Sequence, residues 1–258
     1  MVQHRILASF ALFLLFATAG CSRGSSGSEP LDDAMAAARD QDWERGATLA
    51  GRHLATHDDA APEAHMVRGL CLYMSGKQDA AMNSFEAAAV AAPKNFLAQY
   101  FYGWALCESE QYESALPVLE RAHRLRPEHV DLLVLLSRAC LANNLVRGTK
   151  YLGQLQEYPA FSDGPEIDNA LASLSLARHD YDQAREYFLQ ALAKDPDNEV
   201  VLQNLAVLHD QFLHDVSRAV FYYKRCLGAA QRHGNNERQA RTRARLLQLA
   251  RERRNTSS

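Results

Sequence analysis

The sequence predicts an all-α protein, built as a stack of about six helical hairpins and closed by a terminal helix. Three observations predict this fold. The chain has 258 residues, 47% apolar and 23% charged, which is enough apolar material for a packed core and too little charge for a disordered chain. Small, aromatic and proline residues recur with a period of about thirty-four residues. Within each copy the apolar positions follow helical spacing.

The first twenty residues are typical of an export signal. Arg5 precedes an apolar run over residues 6–19. As a helix this run would extend about 21 Å, short of the roughly 30 Å of a bilayer's hydrocarbon layer. Small residues end the run just before Cys21, and a Ser/Gly-rich stretch follows. We therefore expect a signal peptide over residues 1–20 and a linker over residues 21–28.

The segment Ala19-Gly20-Cys21 resembles the bacterial lipoprotein signal, although Thr18 stands where that family prefers an aliphatic residue. The resemblance implies that Cys21 is acylated with fatty chains such as palmitate, which would hold the protein stably on a membrane of the cell envelope. Ser22, directly after the cysteine, implies sorting to the outer membrane, facing the periplasm. Two alternatives stay open. Cleavage after Ala19 would release a soluble periplasmic protein, and an uncut segment would remain as an anchor.

The repeated pattern is clearest in two consecutive copies. The five residues that mark one copy recur thirty-four positions later as residues of similar size: Gly69, Ala81, Phe85, Ala88 and Pro93, then Gly103, Ala115, Leu119, Ala122 and Pro127. Other copies are marked by Trp43 and Ala47; by Ala172, Ala184, Phe188, Ala191 and Pro196; and by Ala206, Ala219, Tyr223 and Cys226. The small residues allow two helices to approach closely, and each proline lies where a helix must end. The pattern resembles the tetratricopeptide repeat, which implies a right-handed α-solenoid over residues 29–233.

The later part of the chain departs from this regular pattern. Gly148 and Gly153 fall in the second helix of the fourth unit, where apolar residues should pack, so we expect that unit to be degenerate. Residues 158–165 predict a long irregular connection between the first four units and the last two. The basic segment 234–258 predicts a capping helix and tail, with a packing stripe formed by Ala240, Ala244, Leu247 and Ala250.

Neither the motifs nor the composition favour catalysis. The sequence contains no H-E-x-x-H, G-x-x-x-x-G-K-[ST], G-x-G-x-x-G or G-x-S-x-G, so we expect no enzyme, no cofactor and no small-molecule substrate. A metal site is an alternative with less support, based on His53 and His57 four residues apart with Asp58, Asp59 and His65 nearby, and we expect no metal. The net charge of −3 gives no reason to expect nucleic acid as a partner.

Four cysteines lie within the repeats, at Cys71, Cys107, Cys140 and Cys226. In an oxidising compartment they could pair. However, neighbouring helix axes lie about 8–10 Å apart, whereas a disulfide requires Cα atoms within about 7 Å of each other. We therefore expect buried thiols that act as small apolar residues.

The charge is unevenly distributed along the chain. From residue 224 onward, ten lysines and arginines stand against two glutamates, a net charge of +8, while the preceding residues contain 18 basic against 29 acidic side chains. Two interpretations stay open. The basic segment is either a solvated capping face that offsets the acidic remainder, or a contact site for acidic lipid headgroups or an acidic partner.

In the resembling family, the first helix of each unit lines an inner groove that holds the ligand. The resemblance implies a partner-binding groove here at the corresponding positions: Met66, Leu70, Tyr73, Met74, Leu97, Tyr100, Trp104, Arg138 and Leu141. Aromatic and methionine side chains are typical of peptide-binding surfaces, and the alternative for each residue is a place in the core. Members that bind chaperone tails use Lys, Asn and Arg where this chain has Met66, Leu70 and Tyr100, so such a partner is not expected.

These observations predict a non-enzymatic scaffold for protein–protein interaction. In this hypothesis an envelope lipoprotein binds a peptide or partner protein in its groove and assists the assembly of an outer-membrane, pilus or secretion complex. The alternative hypothesis is a self-associating structural protein of the envelope that uses its basic C-terminal helix.

Overall fold

A computed structural model describes residues 29–56 and 61–255, and these residues are helical with no strand among them. Fourteen α-helices lie in these ranges. In chain order they are α1 (Glu29–Arg39), α2 (Trp43–Thr56), α3 (Pro62–Met74), α4 (Gln78–Ala91), α5 (Phe96–Glu108), α6 (Tyr112–Leu125), α7 (Val130–Ala142), α8 (Gly148–Gln156), α9 (Pro159–Ser162), α10 (Glu166–Ala177), α11 (Tyr181–Lys194), α12 (Glu199–Val207), α13 (Val216–Arg232) and α14 (Asn236–Asn255). A π-helical turn over Leu208–Phe212 extends α12.

The helices pack as consecutive hairpins, which confirms the predicted all-α stack. Within the described residues, α1 packs on α2, α3 on α4, α5 on α6, α10 on α11 and α12 on α13, and α14 follows as a single terminal helix. The chain divides into two compact units at Ala139 and Cys140, so that α7 contributes its last residues to the second unit.

Glycines in the first helices of the first unit allow close packing within each hairpin. A Cβ atom at Gly69 would lie 2.7 Å from the Phe85 ring, and one at Gly103 would lie 2.7 Å from Leu119 Cγ. Phe85 and Leu119 are fully buried. The predicted role of the small residues is thus confirmed at these two positions, because the partner side chain occupies the space that a Cβ would need.

The first hairpin corrects one position of the predicted pattern. Gly46, and not Ala47, is its close-contact residue, because a Cβ at Gly46 would lie 3.3 Å from the Ala34 carbonyl oxygen of α1 and 2.7 Å from Cys71 Sγ of α3. Gly46 is also the fourth residue of its helix, as Ala81 and Ala115 are of theirs. A spacing of thirty-five residues therefore separates Gly46 from Ala81, and the strict period of thirty-four missed it.

A single residue with left-handed backbone lies two positions before the second helix of most hairpins. These turn residues have positive φ angles between 52° and 77°, and in five of the six hairpins within the described ranges the residue is not glycine: Gln41, Gly76, Glu110, Asn144, His179 and His214. The sequence pattern did not reveal them, because five different residue types occupy one conformation that usually favours glycine.

Asparagine and aspartate fix several helix starts. The Asn95 side chain accepts hydrogen bonds from the backbone N–H groups of Leu97 and Ala98, and the Asn198 side chain does the same at the start of α12. Asp180 and Asp215 accept one bond each at the starts of α11 and α13. These caps satisfy N–H groups that would otherwise lack a partner.

The irregular part of the second unit, which comprises α8 and residues 158–165, remains packed. Gly148 begins α8 and is buried, and a Cβ there would lie 2.8 Å from Cys140 Cβ, so the glycine serves close packing rather than disrupting it. Gly153 has open space around it, in a helix of only nine residues. Residues 158–165, predicted to be irregular, contain the short helix α9. Lys194 joins this segment to α10, because its ammonium group donates to the Ser162 carbonyl at 2.7 Å and pairs with the Asp168 carboxylate at 2.8 Å.

The terminal helix α14 exists as predicted, but it packs through a different face. Ala240, Ala244, Leu247 and Ala250 are exposed, so the predicted packing stripe is wrong. The face towards α13 contains Thr242 and Leu249, both buried, and Arg245, which pairs with Asp210. The buried ion pair together with Thr242, Leu246 and Leu249, and not the predicted alanine stripe, therefore forms the packing face of this helix.

Candidate functional site

Four of the predicted groove residues belong to the core. Met66, Leu70, Tyr100 and Trp104 are each only 2% exposed. The Trp104 ring contacts Tyr73 at 4.6 Å and lies 6.2 Å from the Phe85 ring. The expectation that these four side chains contact a partner is therefore corrected, because they fill the space between helices.

The Tyr100 ring is enclosed by other rings. Its centroid lies 5.7 Å from Phe96, 5.4 Å from Phe101 and 5.2 Å from His129. Burial raises the pKa of Tyr100, and the nearby charge of Asp131 adds to this effect. Its phenol stays protonated and serves packing.

The other five predicted residues keep part of their surface. Tyr73 and Met74 lie at the end of α3, Leu97 at the start of α5, and Arg138 and Leu141 near the end of α7, all partly exposed. Leu141 belongs to the second unit. The structure brings Tyr73 and Arg138 into one neighbourhood of the first unit, where Glu108 lies near both side chains.

We define the Arg138 cluster as Tyr73, Glu108, Tyr112 and Arg138. The Arg138 guanidinium donates a hydrogen bond to Glu108 Oε1 at 3.0 Å and lies over the Tyr112 ring at 5.8 Å from its centroid. The edge contact with Trp104 holds the Tyr73 ring. Three first helices, α3, α5 and α7, and the start of α6 thus contribute one side chain each.

The electrostatics of the cluster keep Arg138 charged and the Tyr73 phenol neutral. Burial acts to lower the pKa of Arg138, but the hydrogen bond with Glu108 and the surrounding charges outweigh it, and the pKa is raised. Burial raises the pKa of Tyr73, and the charge of Glu108 adds to the rise.

This arrangement can bind a carboxylate or carbonyl oxygen beside an apolar side chain. A guanidinium that lies over an aromatic ring provides a directed donor with low hydration, and the ring provides apolar contact area. Tyr112 was absent from the predicted site. Its place before Ala115, at the start of a second helix, was the sequence signal that could have included it.

The cysteines show no feature of a reactive site. Cys71, Cys107, Cys140 and Cys226 are buried, and none of them forms a disulfide within the described residues. Burial raises the pKa of Cys71 to about 12 and that of Cys107 to about 11. Such thiols stay protonated at neutral pH and are poor nucleophiles.

The weak metal-site alternative gains no support from the described residues, where no group of three or more His, Cys, Asp or Glu side chains is placed to hold an ion. His57, Asp58 and Asp59 lie outside the described ranges, as does Cys21. Among the helices of residues 29–56 and 61–255, none combines the length and apolar character needed to cross a bilayer.

Several of the C-terminal arginines bind within the chain. Arg232 pairs with Asp197 at 2.7 Å, Arg238 with Glu199 at 3.0 Å, and Arg245 with Asp210 at 2.6 Å. Part of the basic segment therefore fixes α13 and α14 to the acidic side chains around α12.

Two family models, both described as tetratricopeptide repeat, match residues 31–96 and 102–146 and residues 165–208. Together they span more than half of the chain. The protein therefore belongs to the tetratricopeptide repeat family, whose members generally mediate protein–protein interactions and whose fold is typically a non-enzymatic scaffold.

Solved structures show the same fold at low identity. YrrB, described as a TPR protein with an unusual peptide-binding site, is 20% identical with a TM-score of 0.60, over 67% of this chain and 88% of that one. MamA from Desulfovibrio magneticus RS-1 is 21% identical with a TM-score of 0.54, over 69% and 99% of the two chains. The pilF protein of Pseudomonas aeruginosa is 17% identical with a TM-score of 0.53, over 85% and 97%. No curated protein matches the chain.

Proposed function

We propose that this protein is an adaptor of the bacterial cell envelope that binds a peptide segment of another protein at the Arg138 cluster. The observation that carries the proposal is the partly exposed guanidinium of Arg138, which lies between Tyr112 and the carboxylate of Glu108. Tyr73, which lies near the same Glu108 carboxylate, is partly exposed and adds aromatic surface.

The chemistry of the cluster favours a peptide that carries a carboxylate next to an apolar side chain. Such a carboxylate would share or replace Glu108 as the acceptor of Arg138, and charge-assisted hydrogen bonds of this kind are stronger than neutral ones. The apolar neighbour would cover the Tyr73 ring. YrrB, which has a similar fold, is described as having a peptide-binding site, and this supports a peptide as the class of ligand.

The site of action that we propose is the membrane surface, through acylation of Cys21. Support comes from the apolar run, the small residues before the cysteine and the Ser/Gly linker after it. An anchored adaptor meets membrane proteins at raised effective concentration. Assembly of an outer-membrane, pilus or secretion complex is the task that we propose for it. Self-association through the basic helix has less support, because Arg232, Arg238 and Arg245 already pair within the chain.

Photocrosslinking in living bacteria tests the binding site. A photoreactive phenylalanine analogue at Tyr73 should yield a discrete protein adduct. The same analogue at Val90, strongly exposed on the second helix α4, should yield none. Adding Arg138→Ala to the Tyr73 variant should abolish the adduct, while circular dichroism stays unchanged. Equal adducts from both positions, or an adduct that survives Arg138→Ala, would contradict the proposed site.

Metabolic labelling tests the anchor. Labelled palmitate should enter the wild-type chain and leave the Cys21→Ser variant unlabelled, and that variant should move from the membrane fraction to the soluble fraction. A Cys226→Ser variant is the matched control, because the buried Cys226 thiol should not be acylated. Membrane attachment of Cys21→Ser without label would contradict lipid anchoring.

A further inference from the structure

The last two helices form an open cleft that the proposed function does not use. The cleft has a volume of about 710 Å³ and lies between the start of α13 and the end of α14. Its floor is apolar, formed by Val216, Val220 and Leu246, and its rim is basic, with Lys224 on α13 and Arg253 on α14. Val216 is 40% exposed although it is apolar.

The geometry of the cleft suits a third helix. Val216, Val220 and Lys224 follow at intervals of four residues, which places them in one ridge along α13. Across the cleft, Leu246, Ala250 and Arg253 line the α14 side, and Ala250 is exposed. Elsewhere in this fold a hairpin receives a further helix in this way, since α5 packs against both α3 and α4. The α13–α14 pair presents the same kind of surface with no described helix on it.

The charge of the cleft determines which kind of helix can bind in it. Lys224, Arg253 and Arg254 line the cleft, and none of its lining residues is acidic. A helix that docks here has to bring apolar side chains for the floor and carboxylates for the rim. We infer that this cleft binds an acidic amphipathic helix of a partner protein.

A second copy of this chain fits the cleft less well. Over residues 31–39 of α1 the exposed side chains are Asp32, Asp33, Ala36 and Arg39, none of which is large and apolar, and a second α14 would bring the same positive charge. An acidic lipid surface offers charge but no ridge of apolar side chains for the floor of the cleft. An acidic amphipathic helix of a partner protein provides both the apolar side chains for the floor and the carboxylates for the rim.

A designed probe peptide tests the inference by fluorescence anisotropy with the full chain. The probe is an eighteen-residue amphipathic helix (about five turns) with leucines on one face and glutamates elsewhere, and its control carries lysines in place of the glutamates. The glutamate probe should bind, more weakly at high salt, and the lysine probe should not. Equal binding of the two, or no binding of either, would overturn the inference.

Matched variants locate the binding. Val216→Asp and Lys224→Glu should each weaken binding of the glutamate probe by about tenfold or more. Leu189→Asp and Lys150→Glu make the same changes at exposed positions outside the cleft and should leave binding unchanged. Circular dichroism checks that each variant is folded. Equal losses in the control variants would overturn the inference.

Two further measurements test the other possible occupants of the cleft, a lipid surface and a second copy of the chain. Phosphatidylglycerol vesicles should not displace the probe, and sedimentation at low salt should show a monomer. Displacement by vesicles, or a dimer that Val216→Asp dissociates, would overturn the inference in favour of a lipid surface or a second copy. A failure of the Arg138 cluster to bind a peptide would leave this result unaffected, because the cleft shares no residue with that cluster.

Discussion

Gly103 is the residue at which the third hairpin is most tightly packed. Its α5 helix approaches α6 so closely that Leu119 occupies the space where a Cβ would lie, with Leu119 Cγ 2.7 Å from that position. Leu119 is fully buried and cannot move outward without displacing its neighbours. Glycine at this position lowers the helix propensity of α5, but it leaves the space that Leu119 fills.

Replacing Gly103 with alanine should destabilise the protein. The gain in helix propensity of about 1 kcal/mol is smaller than the cost of overpacking, which is typically about 1–3 kcal/mol. We expect urea unfolding to show a lower midpoint for Gly103→Ala than for the wild type.

Gly153→Ala is the matched control, since it makes the same change in a helix where nothing lies within 4 Å of the added Cβ. It should raise stability by about 0.5–1 kcal/mol. If both variants shifted the midpoint in the same direction, the packing explanation for Gly103 would be wrong.

Residue patterns predicted the packing positions better than the binding site. Helical register placed Tyr73 and Arg138 correctly on a partly exposed surface, but the same register gave Tyr100 and Trp104, which are buried. Register fixes the direction of a side chain from its own helix and does not reveal the size of the neighbours that cover it. The contact between Trp104 and Tyr73 depends on the adjacent hairpin, which a single repeat does not contain.

At the scale of elements, the hairpin turns share one backbone conformation. Glu110, between α5 and α6, has a φ angle of 57°. Its side chain is exposed, whereas the equivalent turn between α3 and α4 uses Gly76. A non-glycine residue in this conformation costs roughly 1 kcal/mol.

Glu110→Gly should therefore stabilise the chain by up to about 0.5 kcal/mol, because the relief of strain exceeds the added freedom of the unfolded chain. Thermal unfolding would measure this as a higher Tm. Glu113→Gly, inside the neighbouring helix, is the control and should lower the Tm. An unchanged or lower Tm for Glu110→Gly would show that the turn carries no strain.

The α14 helix depends on a buried carboxylate. Asp210 lies in the π-helical turn, its side chain is 3% exposed, and it accepts two hydrogen bonds from Arg245, at 2.6 and 2.7 Å, and one from Tyr223. The sequence predicted a capping helix from its end position and basic composition. It did not predict the packing face, because the ion pair joins residues 35 positions apart and outweighs the alanine stripe.

Arg245→Ala should loosen α14. The variant leaves the Asp210 carboxylate buried with only the Tyr223 hydroxyl as a donor, and breaking a buried pair in this way costs about 3 kcal/mol or more. Hydrogen exchange should become faster throughout α14 and at Tyr223, with α10 and α11 unchanged.

Arg241→Ala is the control on the same helix. Arg241 pairs only with the exposed Glu237 four residues earlier, an interaction worth about 0.5 kcal/mol or less. Its exchange pattern should match that of the wild type. Equal acceleration in both variants would show that α14 frays for reasons unrelated to Asp210.

At the scale of the whole molecule, buried groups in both units link stability to pH. Burial lowers the pKa of His129 in the first unit and of His209 in the second. A histidine with a lowered pKa in the folded state binds a proton more readily in the unfolded state. The free energy of unfolding should therefore fall as pH decreases below the ordinary histidine pKa of about 6.5. Neutral pH should therefore lie on a plateau of stability.

Above neutral pH, buried thiols and a buried phenol determine how the free energy of unfolding changes with pH. Burial raises the pKa of Cys71 to about 12, that of Cys107 to about 11 and that of Tyr223 to about 12. In the unfolded chain a thiol ionises near pH ~8.5 and a phenol near ~10, so above these values the unfolded state releases protons that the folded state retains. Urea midpoints should thus fall steadily from about pH 8.5 upward, and the slope should be smaller for Cys107→Ala, which removes one of the titrating thiols. A flat profile between about pH 8.5 and 10, or an unchanged slope in Cys107→Ala, would mean that these thiols ionise as freely in the folded chain as in the unfolded one.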